Sequence, residues 1–277
     1  MKGHNLSLTS LKIQNIDDLR QKNGLQRRFN VHTTTFESLN LILLLFILDL
    51  CQLMKYEMFD KLHALFVRLP FYKELVDNKG YTLPFICVAQ QNVNAMSFLI
   101  KEGFDILENI NGTTVFHTAA EIGSVDILSV LSQHKPESIN IVNNKKSTPL
   151  IVASWQNHTD AVEYLLQQDG IEINVQNNNG STALHLACST NNNVKVVSLL
   201  LDRNELNEIN SNDLQGYNPL HHACQNNNIQ IVSMLLDHKS IDVDAACHDK
   251  QLGDALATDL SIKRMIKRKR ESKVMLN

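Results

Sequence analysis

His185-Leu-Ala-Cys188 and His221-His-Ala-Cys224 carry the residue types of paired zinc half-sites. Zinc needs four ligands converging tetrahedrally on one ion. The two strings occupy one sequence position read twice, a full repeat apart, so the spacing predicts structural histidines and no metal or cofactor. Nucleophilic and phosphate chemistry lack their signatures as well. The chain has no G-x-S-x-G, no G-x-x-x-x-G-K-[ST], no H-E-x-x-H and no kinase motif set. Its carboxylates are scattered over helix surfaces and turns instead of recurring in pairs. A non-enzyme is expected, the competing reading being an active site grafted on residues 1–77. One charged constellation remains, Lys267, Arg268, Lys269 and Arg270. Such a run fits a localisation signal, a contact with anionic lipid or RNA, or a solvated terminal helix whose cations offset the helix dipole.

The elements that must position these residues are repeated. Gly80 to Val88, Gly112 to Ala120, Lys146 to Ser154, Gly180 to Cys188 and Gly216 to Cys224 are five versions of one nine-residue phrase. Aligned on Thr82, Thr114, Thr148, Thr182 and Asn218, they step by 32, 34, 34 and 36 residues. A second apolar cluster follows each at fixed distance, as at Leu165-Leu166 and Leu235-Leu236. Threonine or asparagine at the helix entry can cap free N–H groups. Pro149 and Pro219 suit the first helical position, where no donor is needed. Gly103 and Gly170 are expected to stop the helices before them.

A period near 33 residues carrying T-P-L-H-x-A resembles the ankyrin repeat. The resemblance implies an all-α solenoid of about seven units, each a turn plus two helices. The units run over about 38–77, 78–110, 111–143, 144–177, 178–213, 214–249 and 250–270, within a repeat domain spanning 38–270. The first unit is divergent, with an apolar first helix at Leu41–Leu53 and a second at Met58–Val67, stopped by Pro70. The last reads as a shortened cap, with Ala255 and Ala257 in its first helix and Ile262, Met265 and Ile266 in its second. A basic segment, 1–37, precedes the array, disordered in part or packed on the first unit. A short tail, 271–277, follows it. The segment Ile262-Lys-Arg-Met-Ile266 is similar to the end of seven-unit proteasome-assembly chaperones of the gankyrin type, a short and generic match.

Charge and cysteine usage add to this. The net charge of -3 divides into basic ends and a body with 13 Lys/Arg against 26 Asp/Glu over residues 36–260. An acidic body suits a cationic protein segment better than DNA, whose binding scales with the phosphates neutralised; the acids equally serve solubility. No nucleic-acid partner is expected. Five cysteines without a dense framework point to a reducing compartment. Cys87, Cys188 and Cys224 stand where a small buried side chain is wanted. The apolar run at Leu41–Leu48 falls well short of the roughly 20 residues of a membrane span. The asparagine triplets at 177–179, 191–193 and 226–228 read as turn filler. A cytoplasmic monomer is expected, nuclear if the basic cluster acts as a localisation signal.

Ankyrin arrays generally bind other proteins, and the resemblance implies a concave face lined by two sets of residues. The turn set is Tyr81, Thr113, Ser147, Ser181 and Tyr217. The helix set is Gln90, Glu121, Ile122, Trp155, Gln156, Thr190, His222, Gln225 and Asn226. Trp155, Tyr217 and Tyr81 stand out because Trp and Tyr are enriched at binding hot spots. Asp105, Glu121 and Asp213 are the acidic candidates for a basic partner segment. The expected function is a non-catalytic scaffold for one protein partner. The alternatives are a regulator, a proteasome-assembly-chaperone-like role, or a microbial effector aimed at host proteins.

Overall fold

The computed structural model describes residues 52–68, 81–107, 112–190, 193–203, 206 and 208–275. The basic N-terminal segment, residues 41–51 of the apolar run and Pro70 lie outside these residues. The described chain is helical, with no strand, and an isolated antiparallel bridge joins Ala246 and Leu252. It divides into two compact units, Met1–Val115 and Phe116–Asn277.

In the first unit the helix Phe59–Arg68 buries Leu62 and Phe66, four residues apart on one face as an amphipathic helix requires. Phe59 stacks on Phe98 at 4.8 Å, and Phe66 meets the edge of Phe104 at 5.2 Å. A helix pair follows, Leu83–Ala89 and Val93–Lys101. Asn92 caps the second of these by accepting from the N–H of Ala95 at 2.9 Å. Gly103 ends it in left-handed backbone, with its N–H on Ile100 O and that of Phe104 on Leu99 O. That double closure needs φ > 0, which glycine adopts without cost.

The second unit repeats one helix-turn-helix plan. Its pairs are Val115–Ile122 with Val125–His134, Pro149–Trp155 with Thr159–Leu166, Ala183–Cys188 with Val194–Leu201, Pro219–Gln225 with Ile229–Asp237, and Gly253–Leu256 with Leu260–Met275. Successive first helices pack on one another, 149–155 on 183–188, 183–188 on 219–225, and 219–225 on 253–256. Side chains at that seam are small or branched, including Ala153, Ala187, Ala223, Cys188 and Cys224, all fully buried. Burial pushes the Cys188 thiol well above its ordinary value, and that of Cys224 up to about 12. Both behave as apolar side chains at neutral pH. Cys87 is buried likewise in the first unit, its Sγ 3.6 Å from the Met54 sulfur.

Helix entry follows the expected chemistry at three positions. Thr148 accepts from the Ile151 N–H, while Thr182 and Asn218 form reciprocal boxes with His185 and His221. Thr82 makes no side-chain cap, and Phe85 stands where those histidines stand. Gly170 is not the helix stop expected of it. The preceding helix ends at Leu166, and the Gly170 carbonyl instead accepts from Asn140 Nδ2 at 2.7 Å.

The hairpins between pairs share a closure in which an Asx side chain takes two N–H groups. Asn143 accepts from Lys145 and Ser147, Asn177 from Asn179 and Ser181, and Asp213 from Gln215 and Tyr217. Neighbouring hairpins are tied by Asn178 N–H to Lys145 O and Leu214 N–H to Asn179 O, at 2.8 and 2.9 Å. Asparagine therefore does bonding work in these turns and is not filler. Gly180 lies at such a crossing with φ +73, and a Cβ there would sit 2.8 Å from the Leu214 nitrogen. Backbone cannot yield as a side chain would, so Gly180→Ala should lower unfolding stability by about 1–2 kcal/mol. A chemical melt checks this; an unchanged midpoint would show that the hairpins shift freely.

Candidate protein-binding surface

Three histidines rigidify the frame on which the candidate residues sit. His117, His185 and His221 each point Nε2 at a carbonyl of the next hairpin segment, Ser147, Ser211 and Ala245, at 2.9, 2.9 and 3.1 Å. The Nδ1 atoms of His185 and His221 accept from the N–H groups of Thr182 and Asn218. Both ring nitrogens are thus spent on backbone, which fixes the tautomer as Nε2–H. Burial lowers the pKa of all three, that of His185 to about 4, with the neighbouring His222 the second cause. The H-x-x-C strings are stacking and hydrogen-bonding positions. No group of three or more metal-ligating side chains converges among the described residues.

On this frame the ends of the first helices present side chains at equivalent positions. Trp155, the last residue of its helix, is 53% exposed. Gln156, Glu121 and Gln225 are exposed, and Thr190 and Ile122 half-buried. The Glu121 backbone is held by His158, whose Nε2 lies 2.7 Å from its carbonyl, which brings Glu121 near the turn following Trp155. In the other unit Tyr81 is half-buried against Phe85, ring centroids 5.4 Å apart, and Thr113 is half-buried.

Several candidates sit differently from the sequence expectation. Ser147 and Ser181 are buried, at 6% and 5% exposure, because each folds under its hairpin and closes it through its carbonyl. They offer little side chain to a partner. Asp213 is also buried, with one carboxylate oxygen building its turn and the other 2.9 Å from His222 Nε2. His222 is consequently fixed, and Tyr217 leans on it at 5.7 Å and on His221 at 6.0 Å. Asp105 is exposed, although one of its oxygens accepts from the Leu107 N–H.

The basic cluster is a helix and not a uniform tail. Leu260–Met275 is longer than the shortened cap expected, and it continues into the residues assigned to the tail. Ile262 and Ile266 are fully buried. Arg270 turns inward, with two bonds to the Asp254 carboxylate at 2.8 and 3.0 Å and one to Val243 O at 3.1 Å. Its Nε makes an ionic contact with Asp244 at 3.2 Å. Lys267 and Arg268 remain exposed and Lys269 is half-buried. Lys267 to Arg270 are therefore not a free run of four cations.

The family model for ankyrin repeats matches residues 85–177 and 169–247, in three copies, which is more than half of the chain. The chain belongs to the ankyrin-repeat family. Its helix pairs, bridging hairpins and first-helix histidines are the repeat's own elements, and the ankyrin repeat is a protein–protein interaction module. A similar curated protein is alpha-latrocrustotoxin-Lt1a of Latrodectus tredecimguttatus, 31% identical over 113 residues. That stretch is 40% of this chain and 8% of the toxin's length. Among the described residues no helix is long and apolar enough to cross a membrane.

The cross-repeat ladder escaped the sequence reading. Asn140 bonds Gly170 O and Glu172 N, and Asn210 bonds Ser240 O and Asp242 N. The signal was present, since Ile139-Asn140, Ile173-Asn174 and Ile209-Asn210 recur at the repeat period.

Proposed function

We propose that this ankyrin-repeat chain is a non-catalytic scaffold that binds a protein partner through the ends of its first helices, with Trp155 as the anchor. The observation that carries the reading is the exposure of Trp155 on a helix whose opposite side is packed at Leu150 and Ala153. A large aromatic ring left in water where the fold does not need it is what an interface hot spot uses. Glu121, Gln156 and Gln225 add exposed polar groups, while Thr190 and Tyr217 contribute half-buried edges. A lysine or arginine of the partner suits the Trp155 face through cation–π attraction and the Glu121 carboxylate through charge. The preferred partner segment is basic. Asp213 takes no part in reading it, because its carboxylate is spent inside the fold.

Affinity capture with quantified recovery tests the proposal. Trp155→Ala should weaken partner binding by about 2 kcal/mol or more. Its unfolding stability should stay within about 0.5 kcal/mol of the parent, as for other surface changes. A sharply lowered melting midpoint would make Trp155 a packing residue. Recovery unaffected by the substitution would place the site elsewhere.

A further inference from the structure

The terminal helix sorts its charges by face. Ile262 and Ile266 are fully buried, and Arg270 and Lys273 turn toward Asp242, Asp244 and Asp254. Leu260, Arg264, Lys267, Glu271 and Val274 recur every three or four residues, and Arg268 stands four after Arg264, which aligns all six on the other side of the helix. All six are exposed, Leu260 at 65% and Val274 at 76%. Lys267 and Glu271 form a loose pair at 3.9 Å, and no ion pair of the described residues engages Arg264 or Arg268. The result is a narrow cationic stripe, roughly 21 Å from Leu260 to Val274 at the helical rise, with an apolar side chain at each end.

We propose that this stripe is a second docking surface, for an acidic helical segment of a protein partner, separate from the Trp155 surface. Three cations at i, i+3 and i+4 match carboxylates at the same spacing on a facing helix, which supplies register and steering. The two apolar ends decide between classes of anion. Leu260 and Val274 have no counterpart on a phosphate backbone, whereas leucines one segment-length apart on a helix would cover both. Duplex binding also grows with the number of phosphates neutralised, and three cations followed by Glu271 neutralise few. A flat anionic bilayer would set like charge against the exposed Glu271 carboxylate within the stripe, whereas a helix can place its carboxylates over the three cations alone.

The full chain is titrated with a labelled synthetic helix of about 15 residues, the length that spans the stripe. It carries a leucine at each end and glutamates between. A scrambled peptide, a short DNA duplex and phosphatidylserine vesicles serve as the other arms. The patterned peptide should bind more tightly than the scrambled one. The double variant R264E/R268E should weaken it by roughly tenfold or more, since it turns two attractive exposed pairs into repulsive ones. Val274→Ser should weaken it severalfold. Circular dichroism and the melting midpoint of R264E/R268E should match the parent, and R264Q/R268Q stands in if they do not. Peptide binding untouched by either double variant overturns the proposal, as does the absence of binding to the peptide. Stronger binding to duplex or vesicles with the same sensitivity to reversal makes the stripe a polyanion surface and overturns it too.

Discussion

Acidification from pH 7 to pH 4 should destabilise the repeat array, and His185→Leu should reduce that dependence by the His185 share while lowering stability at pH 7. Burial holds the His185 imidazole at about 4 against an ordinary value of 6.5. The folded chain therefore binds fewer protons at this site than the unfolded chain between those values. Stability is at its full value above about pH 6.5 and falls as pH drops toward 4. Below 4 this group protonates in both states and adds no further slope. Complete linkage across that interval amounts to about 3 kcal/mol. His117 and His221, lowered by burial in the same way, act in the same direction. The substitution also strands the Thr182 N–H and the Ser211 carbonyl, both otherwise bonded by the ring. Leaving such groups unpaired in a buried site costs about 2–4 kcal/mol together. Because repeat arrays open locally, hydrogen exchange of the 182–188 amides should accompany urea melts at several pH values. Stability that does not change with pH, or an equal slope in parent and variant, would mean that His185 is not the buried neutral base described here.

The helix pairs were legible because a repeat states its core five times. Thr, Pro, Leu and His recur at fixed offsets, so a single ambiguous copy is read from its neighbours. The exposed helix ends followed from the same register, which put Trp155 and Gln156 outside the packed positions. What register did not convey was how short turn residues fold. Ser147 and Ser181 stand beside the threonines in sequence, yet the hairpin closure turns them inward. Asp213 looked like a surface acid, although its alignment with Asn143 and Asn177 marked it as a turn-building acceptor. The basic run at 267–270 was the hardest to read. Four like charges in a row look equivalent until a helix distributes them at 100° steps, and only then does Arg270 separate from Lys267 and Arg268.

Arg270→Met should loosen the terminal helix and cost about 2–3 kcal/mol, and Arg270→Lys should recover less than half of that. The guanidinium bonds Asp254 with two parallel N–H groups, takes the Val243 carbonyl and stands beside Asp244. Its hydrogen bonds and charge hold the Asp254 carboxyl below its ordinary value, and Asp254 in turn raises the Arg270 pKa. The Arg270 side chain is 23% exposed and that of Asp254 30%, so screening is partial and the cost falls below that of a fully buried pair. Beyond Ile266 the helix buries no large apolar side chain among the described residues. Its last turns depend on this fork and on Lys273 with Asp242 and Asp244. Lysine keeps the charge but cannot reproduce a planar two-point contact. A double-mutant cycle with Asp254→Asn isolates the pair, because contacting residues are non-additive by about 0.5–3 kcal/mol. Asp254 also gives the pair its acid limit. A carboxyl held low in the folded state stabilises above its unfolded value near 3.8, and that contribution is lost as pH falls through the lower folded value. Hydrogen exchange should show residues 267–274 opening in Arg270→Met while the amides around Ile231 and Leu235 keep their protection. Equal protection along the terminal helix in parent and variant would mean that the fork does not hold the helix end.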